Sequence, residues 1–386
     1  MKQLLEHYKG REQAYFKHRL LEAYLERLFM IVGQHQKTIC YVDCFAGPWQ
    51  EQGENLEDTS IAISLKIIQK CREGLKKLKR DVHFKALFVE QDQKAYAKLS
   101  NFLQSKREQG IETKALNGEF IALRNDILSW CGAGSFAFFF IDPTGWKEAV
   151  ELTTLEPLLK RPNSEFLINV MYDFLLRTHT QKLFEADIRE IFGEVPDTTG
   201  LSPEEREAYL MKLYCSNIKK VSPPGSGKPR TVFVKVRYPL KDRTLYHLVY
   251  LTHHPLGIIK FMEASQDLDL VQRRVRAQAK QETRINKSGQ GELFAAHEQV
   301  TEKDGHVELS TVKEYWSNHL TIQPAKFGID MLADMLEETG WFASDFQDAF
   351  RELEKDDKVK NLDAKRARPV NAVNFEKDER LVKIEK

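Results

Sequence analysis

The run SFAFFFIDPTGW, residues 135–146, constrains the fold more than any other part of the sequence. Its centre, residues 137–141, is apolar at every position, so neither face of a strand formed there can meet water. Strands of this kind occur in parallel sheets whose two faces are both covered by helices. The run therefore predicts a strand at the centre of a layered α/β domain.

Helical and strand-like patterns alternate around this run. Apolar side chains at spacings of three and four predict a helix over residues 11–33. Strand patterns alternate with helical ones after it, in the segments 38–47, 83–91, 111–120, 135–146 and 164–174. This alternation predicts a doubly wound, mostly parallel sheet with helices on both faces.

Two β-rich runs follow a helical region at residues 180–219. They lie within residues 231–254 and are joined by a charged turn, a pattern typical of a hairpin. Such a hairpin would add an antiparallel pair to the end of the parallel sheet. This ending distinguishes the predicted sheet from a simple dinucleotide-binding one.

The rest of the chain is predicted to be more helical and locally basic. Residues 256–290 favour a helix, and three short helices with a terminal hairpin beyond it predict a small winged-helix-like module. The predicted organisation is a helical segment at 1–36, an α/β domain at 37–262, a basic helical linker at 263–300 and the module at 301–386.

The overall charge is balanced, because 58 Lys and Arg residues face 57 Asp and Glu residues. Bulk electrostatics therefore indicate neither nucleic acid nor a membrane as a partner, and any basic surface must be local. We predict nucleic-acid contacts at two local clusters, with a solvated helix face as the alternative for the first. The clusters are Arg273, Arg274 and Arg276, and Lys365, Arg366 and Arg368.

Cysteine usage and hydropathy indicate where the chain works. Its five cysteines are odd in number, form no Cys-x-x-Cys motif and lie mostly in apolar segments, as buried free thiols do in a reducing compartment. Charges interrupt the first residues where a signal peptide is apolar, and no segment approaches roughly 18 consecutive apolar residues. We expect a cytoplasmic protein without membrane association.

Polar residues follow the predicted strands where each strand ends. Asp43 ends the first strand and begins a turn of small and aromatic residues, Phe45, Ala46 and Gly47. The carboxyl ends of strands in such sheets face a ligand crevice, and a turn of small residues lets main-chain N–H groups approach a ligand. The turn is a predicted cofactor site, with a tight strand-to-helix connection as the alternative.

The second and third strands end in further candidates. A carboxylate such as Glu90 can accept hydrogen bonds from both hydroxyls of a ribose. After the third strand, Asn117 and Glu119 offer polar contacts and Phe120 an aromatic wall for an adenine ring. A plain Asn-Gly turn is the competing interpretation of this segment.

Asp142 gives the sharpest signal, because it directly follows a fully apolar strand. A carboxylate there is costly unless it has partners, which favours a functional role over a helix cap. Pro143 fixes the backbone so that carbonyls can accept hydrogen bonds from an amino group, and Trp146 offers a face for stacking on a planar base.

These motifs resemble those of known methyltransferases. DCFAG resembles the Asp-x-Phe-x-Gly opening of class I S-adenosylmethionine-dependent methyltransferases. DPTGW resembles the Asp-Pro-Pro-aromatic motif of amino methyltransferases that act on nucleic-acid bases, or the Asp-Pro-x-Gly variant of some tRNA guanine methyltransferases. Together, YVDCFAGPW, FFFIDPTGW and YHLVYLTHHPLG are similar to the bacterial three-Cys-motif partner proteins, over about residues 12–262.

The resemblance implies a Rossmann-like methyltransferase fold, S-adenosylmethionine as cofactor and a three-cysteine, radical-SAM-like protein as partner. The expected reaction is methyl transfer to an exocyclic amino nitrogen of a nucleic-acid base. Asp142, Pro143 and Trp146 would be catalytic; Asp43, Phe45, Ala46, Gly47, Glu90, Glu119 and Phe120 would bind the cofactor. The sequence departs from the pattern at Trp49, where a second glycine is usual, and at Thr144, which replaces a proline.

Two other functions stay open at this point. Trp49 favours a catalytically silent methyltransferase fold that binds the cysteine-rich partner. Asp92-Gln93-Lys94 follows a strand as in nucleases, although only Glu90 offers a second carboxylate. No metal site is predicted, because the pair His253-His254 lacks Cys or acidic companions at ligand spacing.

Overall fold

The computed structural model divides the chain into two compact units, Met1–His253 and His254–Lys386. It describes residues 12–47, 59–105, 110–143, 148–172, 185–223, 227–238, 240–241, 243–288, 296, 299–301, 307–366, 368 and 370–384.

A seven-stranded sheet forms the centre of the first unit. Its strands are β1 (Thr38–Asp43), β2 (His83–Glu90), β3 (Glu112–Asn117), β4 (Phe136–Ile141), β5 (Ser164–Val170), β6 (Arg230–Arg237) and β7 (Thr244–Thr252). The spatial order is β3-β2-β1-β4-β5-β7-β6, in which β1 to β5 are parallel and β7 is antiparallel to β5 and β6. This order and these directions are those of a Rossmann-like methyltransferase fold. The antiparallel pair β6 and β7 confirms the hairpin predicted at the end of the sheet.

Helices cover both faces of this sheet. They are α1 (Glu12–Val32), α2 (Ser60–Lys77), α3 (Gln93–Ser105), α4 (Phe120–Cys131), α5 (Leu152–Leu159), α6 (Glu185–Phe192) and α7 (Pro203–Lys220). Every residue of β4 and β5 is buried, as the uninterrupted apolar run predicts. Within the helical region predicted at 180–219, residues 185–219 form two helices, because Gly193 adopts a positive φ after α6 and Ser202 caps α7.

The two faces of the sheet have separate cores. On one face, Tyr41 of β1 stacks on Phe138 of β4, and Tyr24 of α1 packs against the same phenylalanine. On the other face, Phe139 and Phe166 stack within a core that residues of α4, α5, α6 and α7 complete. Because side chains alternate along a strand, Asp43 and Asp142 continue the first face, at the carboxyl edge of the sheet.

A buried carboxyl group, Glu165 of β5, links α1 to β7. Its Oε2 accepts hydrogen bonds from the hydroxyls of Tyr24 (3.0 Å) and Tyr250 (2.5 Å), and its Oε1 accepts from Thr252 (2.7 Å). Burial raises the pKa of Glu165, although the three hydroxyls act in the opposite direction. The network supplies partners for a polar group that the sheet would otherwise bury at a cost.

The second unit has the order of elements of a winged helix. It comprises α8 (Pro255–Ser288), α9 (Leu309–His319), β8 (Ala325–Phe327), α10 (Ile329–Thr339), α11 (Ala343–Lys355), β9 (Val359–Asn361) and β10 (Glu379–Lys383). The central strand β10 pairs antiparallel with β8 and with β9. One helix, a short strand, two helices and a terminal hairpin thus form the winged-helix-like module expected from the sequence.

The helix α8 crosses the predicted domain boundary. Residue 262 falls inside this helix, which runs unbroken from Pro255 to Ser288 and packs against α10 and α11. The sequence-based prediction assigns the start of this helix to the α/β domain and the rest to a linker. In the structure, the whole helix is one element of the second unit. The helix α1, which lies in the predicted N-terminal segment, packs on α2 within the first unit.

All five cysteines are free and buried, as predicted. Among the helices of the described ranges, none combines the length and the apolar character needed to cross a membrane.

The Glu165 network gives a test of the fold. Thr252→Val should lower the free energy of unfolding by about 1–3 kcal/mol, because Oε1 of Glu165 loses the hydroxyl that donates to it. Tyr24→Phe should cost less, since Tyr250 still donates to Oε2. Urea denaturation of both variants measures the two costs, and a larger cost for Tyr24→Phe would contradict this description of the network.

Candidate functional site

The turn after β1 is held by main-chain hydrogen bonds to the strands on both sides. The Cys44 N–H donates to the carbonyl of Phe140 in β4 (2.9 Å), and the Ala46 N–H donates to the carbonyl of Val89 in β2 (2.8 Å). Asp43 Oδ1 accepts from the Phe45 N–H (3.1 Å) within the turn. These bonds fix the path of the backbone at the centre of the carboxyl edge.

Asp43 itself is fully buried. Besides the bond within the turn, its Oδ2 accepts from the hydroxyl of Ser60 at the start of α2 (2.9 Å). Burial raises the pKa of Asp43 to about 7, against the lowering effect of the bonds from Phe45 and Ser60, and the charge of Asp142 raises it further. This carboxyl group therefore titrates near neutral pH.

Gly47 lies directly against the carboxylate of Glu90. A Cβ atom at position 47 would lie 1.6 Å from Glu90 Oε2, so any larger residue would displace that carboxylate. Glu90 Oε1 accepts from the Asp92 N–H (2.7 Å), whereas Oε2 is buried without a hydrogen-bond partner among the described residues. The site thus holds a buried acceptor oxygen, Glu90 Oε2, beside the main chain of a glycine that has no side chain.

The end of β3 is tied to the end of β2. The carbonyl of Glu90 accepts hydrogen bonds from the Gly118 N–H (3.1 Å) and from Nδ2 of Asn117 (2.9 Å). Asn117 Nδ2 also lies 3.3 Å from the carbonyl of Gln91. The Asn117 amide nitrogen therefore braces the backbone that carries Glu90.

Two aromatic rings border this part of the edge. Phe45 packs against Phe120, with 5.2 Å between the ring centroids. Next to them, Gln91 Nε2 donates to Glu119 Oε1 (3.2 Å), and Glu119 makes no side-chain cap to α4. The structure thus brings together the seven residues that the sequence predicts as a cofactor site.

Asp142 follows β4 at the same edge and is held by two donors. Its Oδ1 accepts from Asn169 Nδ2 of β5 (2.7 Å), and its Oδ2 accepts from the ammonium group of Lys17 in α1. Among the described residues, the partners of Asp142 are therefore side chains of a strand and of a distant helix. The N–H groups that a helix cap would contact, at residues 144–147, lie outside the described residues.

The rest of the Asp-Pro motif is only partly described. Pro143 is buried directly after Asp142. Trp146, predicted to stack on a base, lies outside the described residues, as do Thr144 and Trp49, where the sequence departs from the methyltransferase pattern.

Asp92, the carboxylate of the nuclease interpretation, serves the start of α3. Its Oδ1 accepts from the Ala95 N–H (2.8 Å), which is the contact of a helix cap. In the described part of the chain, no group of three or more His, Cys, Asp or Glu side chains is arranged to hold a metal ion. A structural role thus accounts for Asp92.

A second polar cluster lies beside the end of β5. His247 of β7 is opposite Val170, and its Nε2 lies 2.9 Å from Glu207 Oε1 of α7. The same oxygen accepts from Lys235 Nζ at 3.1 Å, and the Tyr172 ring packs edge-on against His247 at 5.1 Å. Burial lowers the pKa of His247, against the raising effect of its hydrogen bond to Glu207. No sequence motif indicated this cluster.

Lys17 and Asn169, which hold Asp142, are not among the residues predicted from the sequence. Asn169 and Glu165 are polar residues in a strand that is buried throughout, and that pattern was a usable signal. Lys17 carries no such signal, because it is one of several polar residues along an amphipathic helix. Only the tertiary contact with Asp142 distinguishes it.

The six predicted nucleic-acid contacts have different surroundings. Arg273 pairs with Asp269 at 2.8 Å, and Arg276 is only 9% exposed. Arg368 makes a two-pronged ion pair with Glu379, at 2.9 and 2.6 Å. Arg274 is half-buried, and Lys365 and Arg366 are exposed.

No protein-family model and no curated protein matches this sequence. Among solved structures, it is similar to the proposed methyltransferase yhhF from Escherichia coli, with 12% identity and a TM-score of 0.28 over 60% of this chain and 85% of that one. It is also similar to the proposed methylase HI0767 from Haemophilus influenzae, with 13% identity and a TM-score of 0.28 over 59% and 88% of the two chains. A loganic acid methyltransferase with SAH gives 12% identity and a TM-score of 0.29 over 68% and 84%. These TM-scores are low, so the fold assignment rests on the order and direction of the strands.

The raised pKa of Asp43 predicts a pH-dependent stability. The folded protein holds this proton up to about pH 7, whereas the unfolded chain releases it near 3.8, so the stabilisation present at low pH is lost as the pH rises through about 7. Between about pH 5 and pH 8, wild type should lose about 2–3 kcal/mol of unfolding free energy relative to Asp43→Asn, which cannot titrate there. Urea denaturation at the two pH values tests this, and a constant difference between the proteins would contradict it.

Proposed function

We propose that this chain transfers the methyl group of S-adenosylmethionine to an amino nitrogen of a nucleic-acid base. The observation that carries the proposal is the buried Glu90 Oε2 beside Gly47, which has no hydrogen-bond partner in the described ranges and lies on the same sheet edge as Asp142. In open α/β sheets, ligands bind outside the carboxyl ends of the strands. The order and direction of the seven strands support the same class of enzyme.

The residues at this edge fit an adenosine-containing cofactor. Glu90 Oε2 is a buried acceptor that a ribose hydroxyl can satisfy, and leaving such an oxygen unpaired is costly. Gly47 keeps a side chain out of the same space, and Phe45 and Phe120 supply an apolar border. When bound, S-adenosylmethionine supplies an electrophilic methyl group. The residues of this chain would hold it and orient the acceptor.

Asp142 is the residue that we assign to the acceptor amine. Asn169 and Lys17 each donate to one of its oxygens and so hold the carboxylate in one orientation. Each oxygen has a second lone pair, which can accept a hydrogen bond from an amino group. Fixing the amine in this way would increase the rate chiefly through positioning.

A second candidate function is a catalytically silent binding subunit for the three-cysteine partner that the sequence resemblance implies. The observation that favours it is the ion pair between Lys17 and Asp142. In this pair, the Lys17 ammonium group already contacts the Asp142 carboxylate that we propose binds the substrate amine. Cofactor binding and turnover separate the two candidates.

The first test concerns the cofactor. Glu90→Ala should weaken S-adenosylmethionine binding by about 2–4 kcal/mol, roughly 30-fold to 700-fold, because charge-assisted hydrogen bonds are lost. Isothermal titration measures this loss. Glu112→Ala is the matched control, since Glu112 begins β3 at the opposite edge and pairs with His83 and Lys85. Equal affinity of wild type and Glu90→Ala would refute the assignment of Glu90, and no binding to wild type would favour the silent subunit.

The second test concerns the acceptor. Asp142→Asn should reduce methyl transfer by about 100-fold or more, roughly 3 kcal/mol in activation free energy, because the amide replaces an acceptor oxygen with a donor. Melting temperature should change little, since the Asn169 amide can rotate and offer its buried Oδ1, which no described residue contacts with a hydrogen bond. Transfer of radiolabelled methyl from S-adenosylmethionine to total tRNA and genomic DNA measures turnover.

Asp92→Asn is the control for the acceptor test, because Asp92 caps α3 at the same edge of the sheet. It should leave turnover unchanged, and Asn is a comparable cap. An Asp142→Asn protein that melts early yet keeps full activity when folded would make Asp142 structural.

A further inference from the structure

The winged-helix unit separates its charges. The segment 358–384, which contains β9, β10 and their connection, has eight Lys and Arg residues and four acids, a net charge of +4. The helices α9, α10 and α11 together have three Lys and Arg residues and nine acids, a net charge of −6. The basic hairpin therefore suits an acidic partner, whereas α9, α10 and α11 suit a basic one.

The acidic helices are poorly suited to a nucleic-acid groove. In helix-turn-helix units, the second helix of the pair enters the major groove, and here that helix is α11. Its two helical cations are already paired within the helix, Arg351 with Asp348 and Lys355 with Glu352, both at 2.7 Å. Phosphates line both sides of every groove, so the excess of acids would oppose insertion.

The connection between β9 and β10, residues 362–378, is named the wing. It is built around Glu379, which is 2% exposed. Glu379 accepts two hydrogen bonds from Arg368, at 2.9 and 2.6 Å, and one each from Asn361 Nδ2 and the Asn374 N–H, both at 2.7 Å. Arg368 therefore maintains the shape of the wing, and its guanidinium is engaged within the protein.

Helix α11 braces the wing from one side. Gln347 Nε2 donates to the carbonyl of Val373 (2.7 Å), and Gln347 Oε1 accepts from the Val373 N–H (2.9 Å). Arg351 Nη2 donates to the carbonyl of Val370 (2.8 Å). A wing fixed in this way loses little conformational freedom when a ligand binds.

Four cations of the hairpin have exposed side chains that make neither an ion pair nor a hydrogen bond with a described residue. They are Lys360, Lys365, Arg366 and Lys377. Arg380, in contrast, is engaged by Asp363 through several hydrogen bonds, the shortest 2.6 Å. The preformed wing thus presents unpaired positive charge to solvent.

We infer that the wing binds the phosphate backbone of nucleic acid through Lys365, Arg366 and Lys377, together with Lys360 of the adjoining strand β9, while α11 stays out of the groove. Contacts of this kind position a nucleic acid without reading its sequence. This inference rests on the proposed function in one respect, which is that the substrate is a nucleic acid. The wing would be the surface that holds this substrate.

The test compares the full chain with a double variant, Lys365→Gln and Arg366→Gln. Fluorescence anisotropy over a salt series measures binding to a short, labelled DNA duplex of mixed sequence and to an RNA stem-loop. The variant should bind at least about tenfold more weakly at low salt, and its slope of log affinity against log salt should be smaller by about 2 for the duplex. The arm with the tighter binding identifies DNA or RNA as the source of the phosphates.

The matched control is Lys76→Gln with Lys77→Gln, two exposed lysines at the end of α2 that change the net charge equally. It should bind like wild type. Arg368→Gln should lower the melting temperature as well as weaken binding, whereas the double wing variant should melt like wild type.

Several results would overturn the inference. Equal weakening by the control and the wing variant would mean that total charge, and not the wing, drives binding. An unchanged affinity of the wing variant would place the contact elsewhere, and no binding of wild type to either probe at low salt would indicate an acidic protein as the partner of the wing. Titration with S-adenosylmethionine is a separate readout, so failure of cofactor binding leaves the wing result intact.

Discussion

The turn after β1 is fixed from both sides, because the N–H groups of Cys44 and Ala46 donate to carbonyls of the strands β4 and β2. This arrangement requires β1 to lie between β2 and β4, which the crossover in strand order provides. The path brings Gly47 against Glu90 and keeps Asp43 within the electrostatic reach of Asp142. The candidate site therefore depends on main-chain geometry first and on side-chain chemistry second.

Helix α1 lies outside the alternation of strands and helices, yet it is needed by the sheet at two points. β5 is buried throughout and still carries Glu165 and Asn169, whose polar groups need partners. Tyr24 of α1 donates to Glu165, and Lys17 of the same helix reaches Asp142, which Asn169 also holds. One helix thus stabilises the interior and completes the polar environment at the edge.

Much of the fold could be predicted because its signals are local. Apolar runs and helical spacings are properties of short segments, and Asp43, Glu90 and Asp142 follow their strands directly in the sequence. Partners far apart in the chain left no such trace. Lys17 and Asp142 are 125 positions apart, and Tyr24 and Glu165 are 141 apart, so no periodicity could join them.

The second unit shows the same limit in its charges. Arg366 and Arg368 are chemically identical and two positions apart, yet one is exposed and the other is engaged by Glu379, which only the folded hairpin buries. The predicted boundary at 262 falls inside α8 for a related reason, because this helix continues through residues whose hydrophobic pattern changes without a Gly or Pro to end it. Patterns predict elements, while the partners of a side chain are settled by packing.

The separation of charge in this unit explains how a nearly neutral chain can carry a strongly basic surface. The formal net charge of +1 is the sum over all charged residues, whereas a ligand at one surface is close to only a few of them. At physiological ionic strength, electrostatic interactions are screened beyond about 8 Å, so a phosphate at the wing responds chiefly to the cations nearest to it. The acids of α9, α10 and α11 oppose an approach of phosphates to those helices. Segregation of charge within one small unit thus gives its parts different affinities for a polyanion, a difference that net charge alone does not reveal.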